Sequence, residues 1–510
     1  MSFWVDTHWI TGRAARYLPT WRSASRFATG AVAGTAAILL AGNTAGAQQM
    51  SADSQPPAQI HYKGLTLTPI GYFAAEAVWR QKNETADIGS SFNAIPFEGT
   101  TNANLSEFRG SARQSRIGLL AEGKVDDTKL AGFWESDFLA AGVSSNSNES
   151  NSYALRIRQF WGRATLGDGW QFTAGQMWSL ITTNKTGIAT RGEFVPLLID
   201  AQYSAGFNWA RQFGLRVGKE LTHGVWIVGS AEGAQTTETA QGANTNFVLG
   251  QPGGSQLNTT VNYSTDVAPD VIGKIVFEPG FGHYEIKALG RAFRDRVIDV
   301  TNTNGGTRNS LTYGGGVGVG AVWSATMTEE NGKSRSIVDF GISGLYGNGI
   351  GRYGASQLSD VTVRPNGELA PIRAAQGLVS LETHPSRRLD IYGYAGAEYE
   401  YRTAFLNGAK GEGYGSPLLS NVGCTEEFPP TGPFAPGAAG GVNASCNANT
   451  RSLSQGNLGF WYRFVQGSAG TVAWGMQYSY TDRQTWSGAG GIQPRALDQM
   501  VFTSFRYIIP

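Results

Sequence analysis

Three short stretches carry charged side chains at two-residue spacing. Arg116 opens RIGLLAEGK, Glu135 and Asp137 stand in WESD, and Arg156 and Arg158 stand in LRIRQF. In an extended strand alternate residues share a face, so each stretch presents its charges on one side. Set side by side, the three strands would juxtapose Arg, carboxylate and Arg. Such a group can pair its own ions and pin a neighbouring segment, or it can form a basic ladder that orders water and ions beside an aqueous passage. The two roles are compatible. A further set, Lys185, Arg191, Glu193 and Asp200, lies in the segment 182–205. That segment also holds Phe194, Val195, Leu197 and Leu198, which are out of place on a surface loop but expected if it folds inward onto a wall. Its charges would then face the same passage as the ladder. The alternative is a segment that caps the surface or touches a neighbouring subunit.

Catalytic chemistry finds little purchase. There is no GxSxG elbow, no HExxH and no phosphate-cradling loop with its Lys. The glycine run Gly314–Gly320 falls inside an alternating stretch whose Val317, Val319, Ala321 and Trp323 share the opposite face, so it reads as a smooth inner wall. Cys424 and Cys446 are the only cysteines and share the segment 404–452. In an oxidising compartment they are expected to form one disulfide. None of the five His lies close to them, so no metal centre is read there, and no cofactor is implied. A Ser/His/acid set at a barrel rim cannot be assembled, and no enzyme is expected.

Around these residues the chain alternates throughout. Val472, Trp474, Met476, Tyr478 and Tyr480 make one apolar stripe, with Ala473, Gly475, Gln477 and Ser479 between them. About sixteen such segments are read, at 65–80, 111–125, 128–139, 153–166, 170–181, 206–221, 224–234, 270–279, 282–295, 311–325, 335–347, 374–384, 388–403, 453–465, 470–483 and 496–508. Short and long connections take turns between them. That is the trace of an all-β transmembrane antiparallel barrel with short periplasmic turns and long extracellular loops, the third folded into the lumen. No repeat of propeller length appears. Charged residues make up 15% of the chain, low for a soluble protein, and 14 Trp, 19 Tyr and 25 Phe suit aromatic girdles.

The N-terminus carries Arg13, Arg16, Arg22 and Arg26, a small-apolar run from Ala28 to Gly42, and an A-x-A site at Ala45–Ala47. Residues 1–47 are therefore expected to be a cleaved signal peptide, 48–64 a short polar periplasmic segment and 65–510 the barrel. Removing residues 1–47 takes four Arg and one Asp from 40 basic and 39 acidic residues, leaving 36 and 38, a net charge near −2. Nothing in that balance points to nucleic acid.

Parity names the inward face. With Ile117, Leu119 and Ala121 outward, Arg116, Glu122 and Lys124 point in. With Leu130, Trp134 and Phe138 outward, Glu135 and Asp137 point in. With Leu155, Ile157 and Trp161 outward, Arg156 and Arg158 point in. Arg211 breaks the rule by sharing parity with Trp209 and Phe213, which signals a bulge or a different register.

The runs Arg113–Gly118, Glu135–Phe138, Leu155–Phe160 and Gly175–Ser179 resemble sixteen-stranded trimeric porins, most closely the dicarboxylate-inducible (DcaP-like) group. The likeness covers residues 109–180. Porins of that group begin with a periplasmic coiled coil, for which this chain shows no heptads. The resemblance implies a homotrimer, a constriction formed by the third loop, and passage of small, often anionic, solutes. Its surroundings would be outer-membrane lipid and lipopolysaccharide. The aromatic closing strand Val501–Ile509 resembles the signal read by the barrel-insertion machinery, although such signals usually end in Phe or Trp and this one ends Ile-Ile-Pro. Passive diffusion through a water-filled pore is the expected function. A barrel serving mainly as adhesin or scaffold is the alternative.

Overall fold

In a computed structural model the chain is described at residues 59–140, 154–201, 203–239, 267–299, 306–328, 332, 334–427 and 446–510, with the backbone of 247–250. The expected signal peptide and most of the segment 48–64 lie outside the described residues.

Sixteen antiparallel strands close on themselves. They are β1 Leu65–Arg80, β2 Arg116–Val125, β3 Thr128–Asp137, β4 Arg156–Thr165, β5 Gln171–Trp178, β6 Arg211–Thr222, β7 Val225–Glu232, β8 Asp270–Phe277, β9 His283–Asp299, β10 Arg308–Thr328, β11 Ser334–Asn348, β12 Arg373–Ser386, β13 Leu389–Glu400, β14 Thr450–Gly467, β15 Gly470–Thr485 and β16 Arg495–Ile508. β1 pairs with β2 along its first half and with β16 along its second, Tyr72 facing Arg116 on one side and Ile508 on the other, which shuts the ring. Closure leaves no unpaired edge, the condition for strands to cross hydrocarbon.

The alternating stripes settle which way the strands face. Trp474, Tyr478 and Tyr480 of β15 lie exposed on the outside, while Ala473, Gln477 and Ser479 are buried within. Val317 and Val319 of β10 are likewise exposed, with Gly318 and Gly320 buried. The outer face is thus a continuous apolar band, as a bilayer requires.

Two expectations about facing are corrected. Trp161 points inward, 4% exposed, whereas its neighbour Phe160 is 61% exposed. The cause is a β-bulge: Ser136 pairs with Ile157 but Glu135 pairs with Gln159, so Arg158 is the extra residue and parity flips below it. Trp161 then packs with Phe133 and Met177 inside the barrel. At the other anomaly the strand begins at Arg211 itself, so Trp209 belongs to the preceding loop. The Arg211 guanidinium lies 5.1 Å from the Trp178 ring and 5.2 Å from the Trp209 ring.

The lumen is also less uniformly wet than the alternation alone implies. Loop 1, between β1 and β2, brings Ile88, Phe92, Ile95 and Phe97 into one apolar cluster with Leu198, Ile199 and Phe207 of loop 3, between β5 and β6. Loops carry their own hairpins as well, Val361–Val363 with Leu369–Pro371 and Thr403–Asn407 with Lys410–Tyr414. Phe247–Gly250 adds a short strand along the top of β9. Cys424 and Cys446 are joined in a disulfide.

Candidate functional site: loop 3 against the charged wall

On the inner wall Arg116, Asp137 and Arg156 are register partners across β2, β3 and β4. Arg156 donates from Nε to Asp137 Oδ1 at 2.9 Å and from Nη2 to Oδ2 at 2.7 Å. Arg158, on the same face two residues on, donates to Glu135 Oε2 at 2.9 Å and to Asp137 Oδ2 at 2.8 Å. Arg116 reaches Glu135 Oε1 at 3.3 Å. Three guanidiniums thus meet two carboxylates, and the third Arg158 donor goes to the Tyr203 hydroxyl of loop 3 at 3.1 Å. The wall pairs most of its own charge and pins the inserted loop with what is left.

A loop inside a barrel loses water, so its backbone polar groups need partners. The wall supplies them along the whole of loop 3. Lys287 and Lys274 donate to the carbonyls of Ile181 and Thr182 at 2.6 and 2.8 Å. The Leu197 amide donates to the Tyr394 hydroxyl at 2.8 Å, and the Leu197 carbonyl accepts from Trp461 Nε1 at 2.8 Å. Amides of Ile199, Ala205 and Gly206 donate to Gln477, Gln455 and Glu398 at 2.7, 3.1 and 2.9 Å. None of these wall residues stands in a motif; each is one polar side chain on an alternating strand, which is why the sequence did not single them out.

Wall glycines provide the room. A Cβ built on Gly341 would lie 2.5 Å from the Phe194 ring, and one on Gly320 2.7 Å from Thr183 Oγ1. Part of the Gly314–Gly320 run is therefore a docking surface for loop 3 as well as a smooth wall.

The four charged loop-3 residues fare differently. Lys185 ion-pairs with Asp339 at 2.7 Å. Arg191 lies over the Phe133 ring, 4.9 Å from its centre. Glu193 is buried, and burial raises its carboxyl above the ordinary range. Asp200 is buried too, its carboxylate accepting the amide and hydroxyl of Ser90 in loop 1 at 3.1 and 2.5 Å, so it joins two loops. Between loop 3 and the wall a cavity of about 200 Å³ remains, edged by Arg116, Glu135, Lys185, Glu193, Asp339 and His384.

No protein-family model matches the sequence, and no curated protein matches it. Among solved structures, the outer membrane channel DcaP of Acinetobacter baumannii superposes with a TM-score of 0.57 at 18% identity, covering 89% of this chain and 100% of the channel. The chain has the porin fold. OmpF of Salmonella typhi, solved in complex with daunomycin, aligns over 89% of the chain and 100% of its own at 12% identity, TM-score 0.45. OprB of Pseudomonas putida aligns over 86% and 94% at 11% identity, TM-score 0.40. Within this porin fold the inserted third loop, packed with loop 1, is what distinguishes the interior from a plain tube.

Proposed function

We propose that the chain is an outer-membrane porin through which small hydrophilic solutes diffuse passively, with loop 3 setting the width of the passage. The observation that carries this is the docking of loop 3 across a closed barrel that is apolar outside, beside a cavity lined by charges of both signs. Folding a loop into a barrel narrows an aqueous lumen to solute size, and charged groups at that level tune which ions pass. The likeness to a solved outer membrane channel supports the same reading. Residues 1–47 act as a cleaved export signal, and the barrel works as a homotrimer among outer-membrane lipid and lipopolysaccharide. The passing solutes include small anions, in keeping with the resemblance to DcaP-like porins.

Swelling of liposomes containing the purified protein tests this directly. Uptake of small sugars and dicarboxylates should be fast and should fall steeply with solute size. Swelling no faster than in protein-free liposomes would overturn the channel reading. N-terminal sequencing of outer-membrane material should begin at Gln48, and chemical cross-linking should yield trimers.

A further inference from the structure

A second cluster stands apart from the arginine wall. Asp339 of β11 and Glu382 of β12 are register partners, and His384 follows two residues later on the same face. One ligand atom from each lies within 4.8 Å of the others. We propose that Asp339, Glu382 and His384 form a binding site for a divalent metal of the zinc class, for which the Lys185 ammonium of loop 3 competes.

Four observations carry this. One imidazole and two carboxylates form a donor set zinc accepts, with bonds of roughly 2.0–2.2 Å that bring two ligand atoms within about 3–4 Å of each other, a small contraction from the present spacing. His384 Nδ1 is 2.7 Å from Asp390 Oδ1, and Asp390 is itself held by Arg463. A carboxylate on the far nitrogen is how metal-binding histidines are oriented, and here it turns Nε2 toward the cluster. Glu382 is 4% exposed and its carboxylate accepts the Tyr394 hydroxyl at 2.6 Å, yet no cationic side chain pairs with it among the described residues, although it borders the cavity. A buried carboxylate without a cation is costly. Finally, a cation is already drawn here: Lys185 Nζ stands 2.7 Å from Asp339. Both ring nitrogens of His384 face carboxylates, Nδ1 on Asp390 and Nε2 3.2 Å from Asp339 Oδ2, so the imidazole carries a proton on each and Asp339, Glu382 and Asp390 are matched by Lys185, Arg463 and His384. A divalent ion that replaces the ammonium and the imidazolium proton keeps that balance. Ligands on adjacent strands of a closed sheet are held rigidly, so metal entry would move the loop and not the wall.

The test is calorimetric titration of tag-free protein, folded in detergent, with ZnCl₂, and CoCl₂ titration read by visible absorption. We expect one ion per chain, binding at least tenfold weaker in Glu382→Gln and in His384→Gln, and severalfold tighter in Lys185→Met, which keeps every ligand. Heat-modifiable migration on gels establishes that each variant is folded. No binding by the wild type, or an affinity indifferent to both ligand variants, would overturn the site. An affinity unchanged in Lys185→Met would overturn the competition.

Discussion

Arg156 and Arg158 share a face, but they differ in what they can do. The Arg156 side chain is 37% exposed and borders open space, whereas that of Arg158 is 4% exposed and closes a network that ends on Tyr203 of loop 3. Arg156→Gln should therefore shift the reversal potential toward cations while leaving the fold intact. Arg158→Gln takes one cation from each of Glu135 and Asp137, which keep Arg116 and Arg156, and should cost up to about 3 kcal/mol, the low end of the penalty for breaking a buried pair. A lowered melting temperature with noisier channel current would register it, and a silent Arg158→Gln would contradict the pinning role. Parity in the sequence was enough to place Arg116, Glu135, Asp137, Arg156 and Arg158 on one face. It misplaced Trp161, because a single bulged residue inverts parity and leaves no mark in composition.

At the scale of elements, loop 3 depends on glycines in the wall opposite it. Gly341→Val should expel Phe194 and undock the loop while β11 keeps its pairing; accelerated proteolysis between 182 and 205 with an unchanged heat-modifiable barrel would show this. Loop 1 adds a pH dependence. Burial raises the Glu84 carboxyl to about 8 from 4.5, a rise only partly offset by Arg80. Its folded-state pKa thus exceeds its unfolded value, so the stability it lends to loop docking is fully present below 4.5 and is lost as pH rises through about 8. Channel noise should grow between pH 5 and 8, level off above that, and lose the rise in Glu84→Gln; identical traces at pH 5 and pH 8 would sink the idea. Phe194, Val195, Leu197 and Leu198 announced an inward loop because apolar side chains need cover. The partners of its backbone, such as Gln455, Gln477 and Glu398, did not show, since hydrogen bonds between segments some 190–280 positions apart have no local signature.

The whole molecule was legible in outline because closure imposes order on the chain: every strand alternates, and short turns alternate with long loops. The sixteen segments read from the sequence correspond one to one with β1–β16. Hidden from that reading was the apolar core inside the lumen, built where Ile88, Phe92 and Phe97 of loop 1 meet Ile199 and Phe207 of loop 3. Its residues come from loops far apart in sequence, with no shared period. The barrel is consequently an outer cylinder supporting an inner plug of loops, and passage depends on how that plug is seated. Single-channel recording of the wild type beside a variant lacking residues 186–192 tests this most directly. We expect stable stepwise conductance in the wild type and severalfold larger steps once loop 3 is shortened. Bilayers without steps in either protein, or steps of equal size in both, would contradict it.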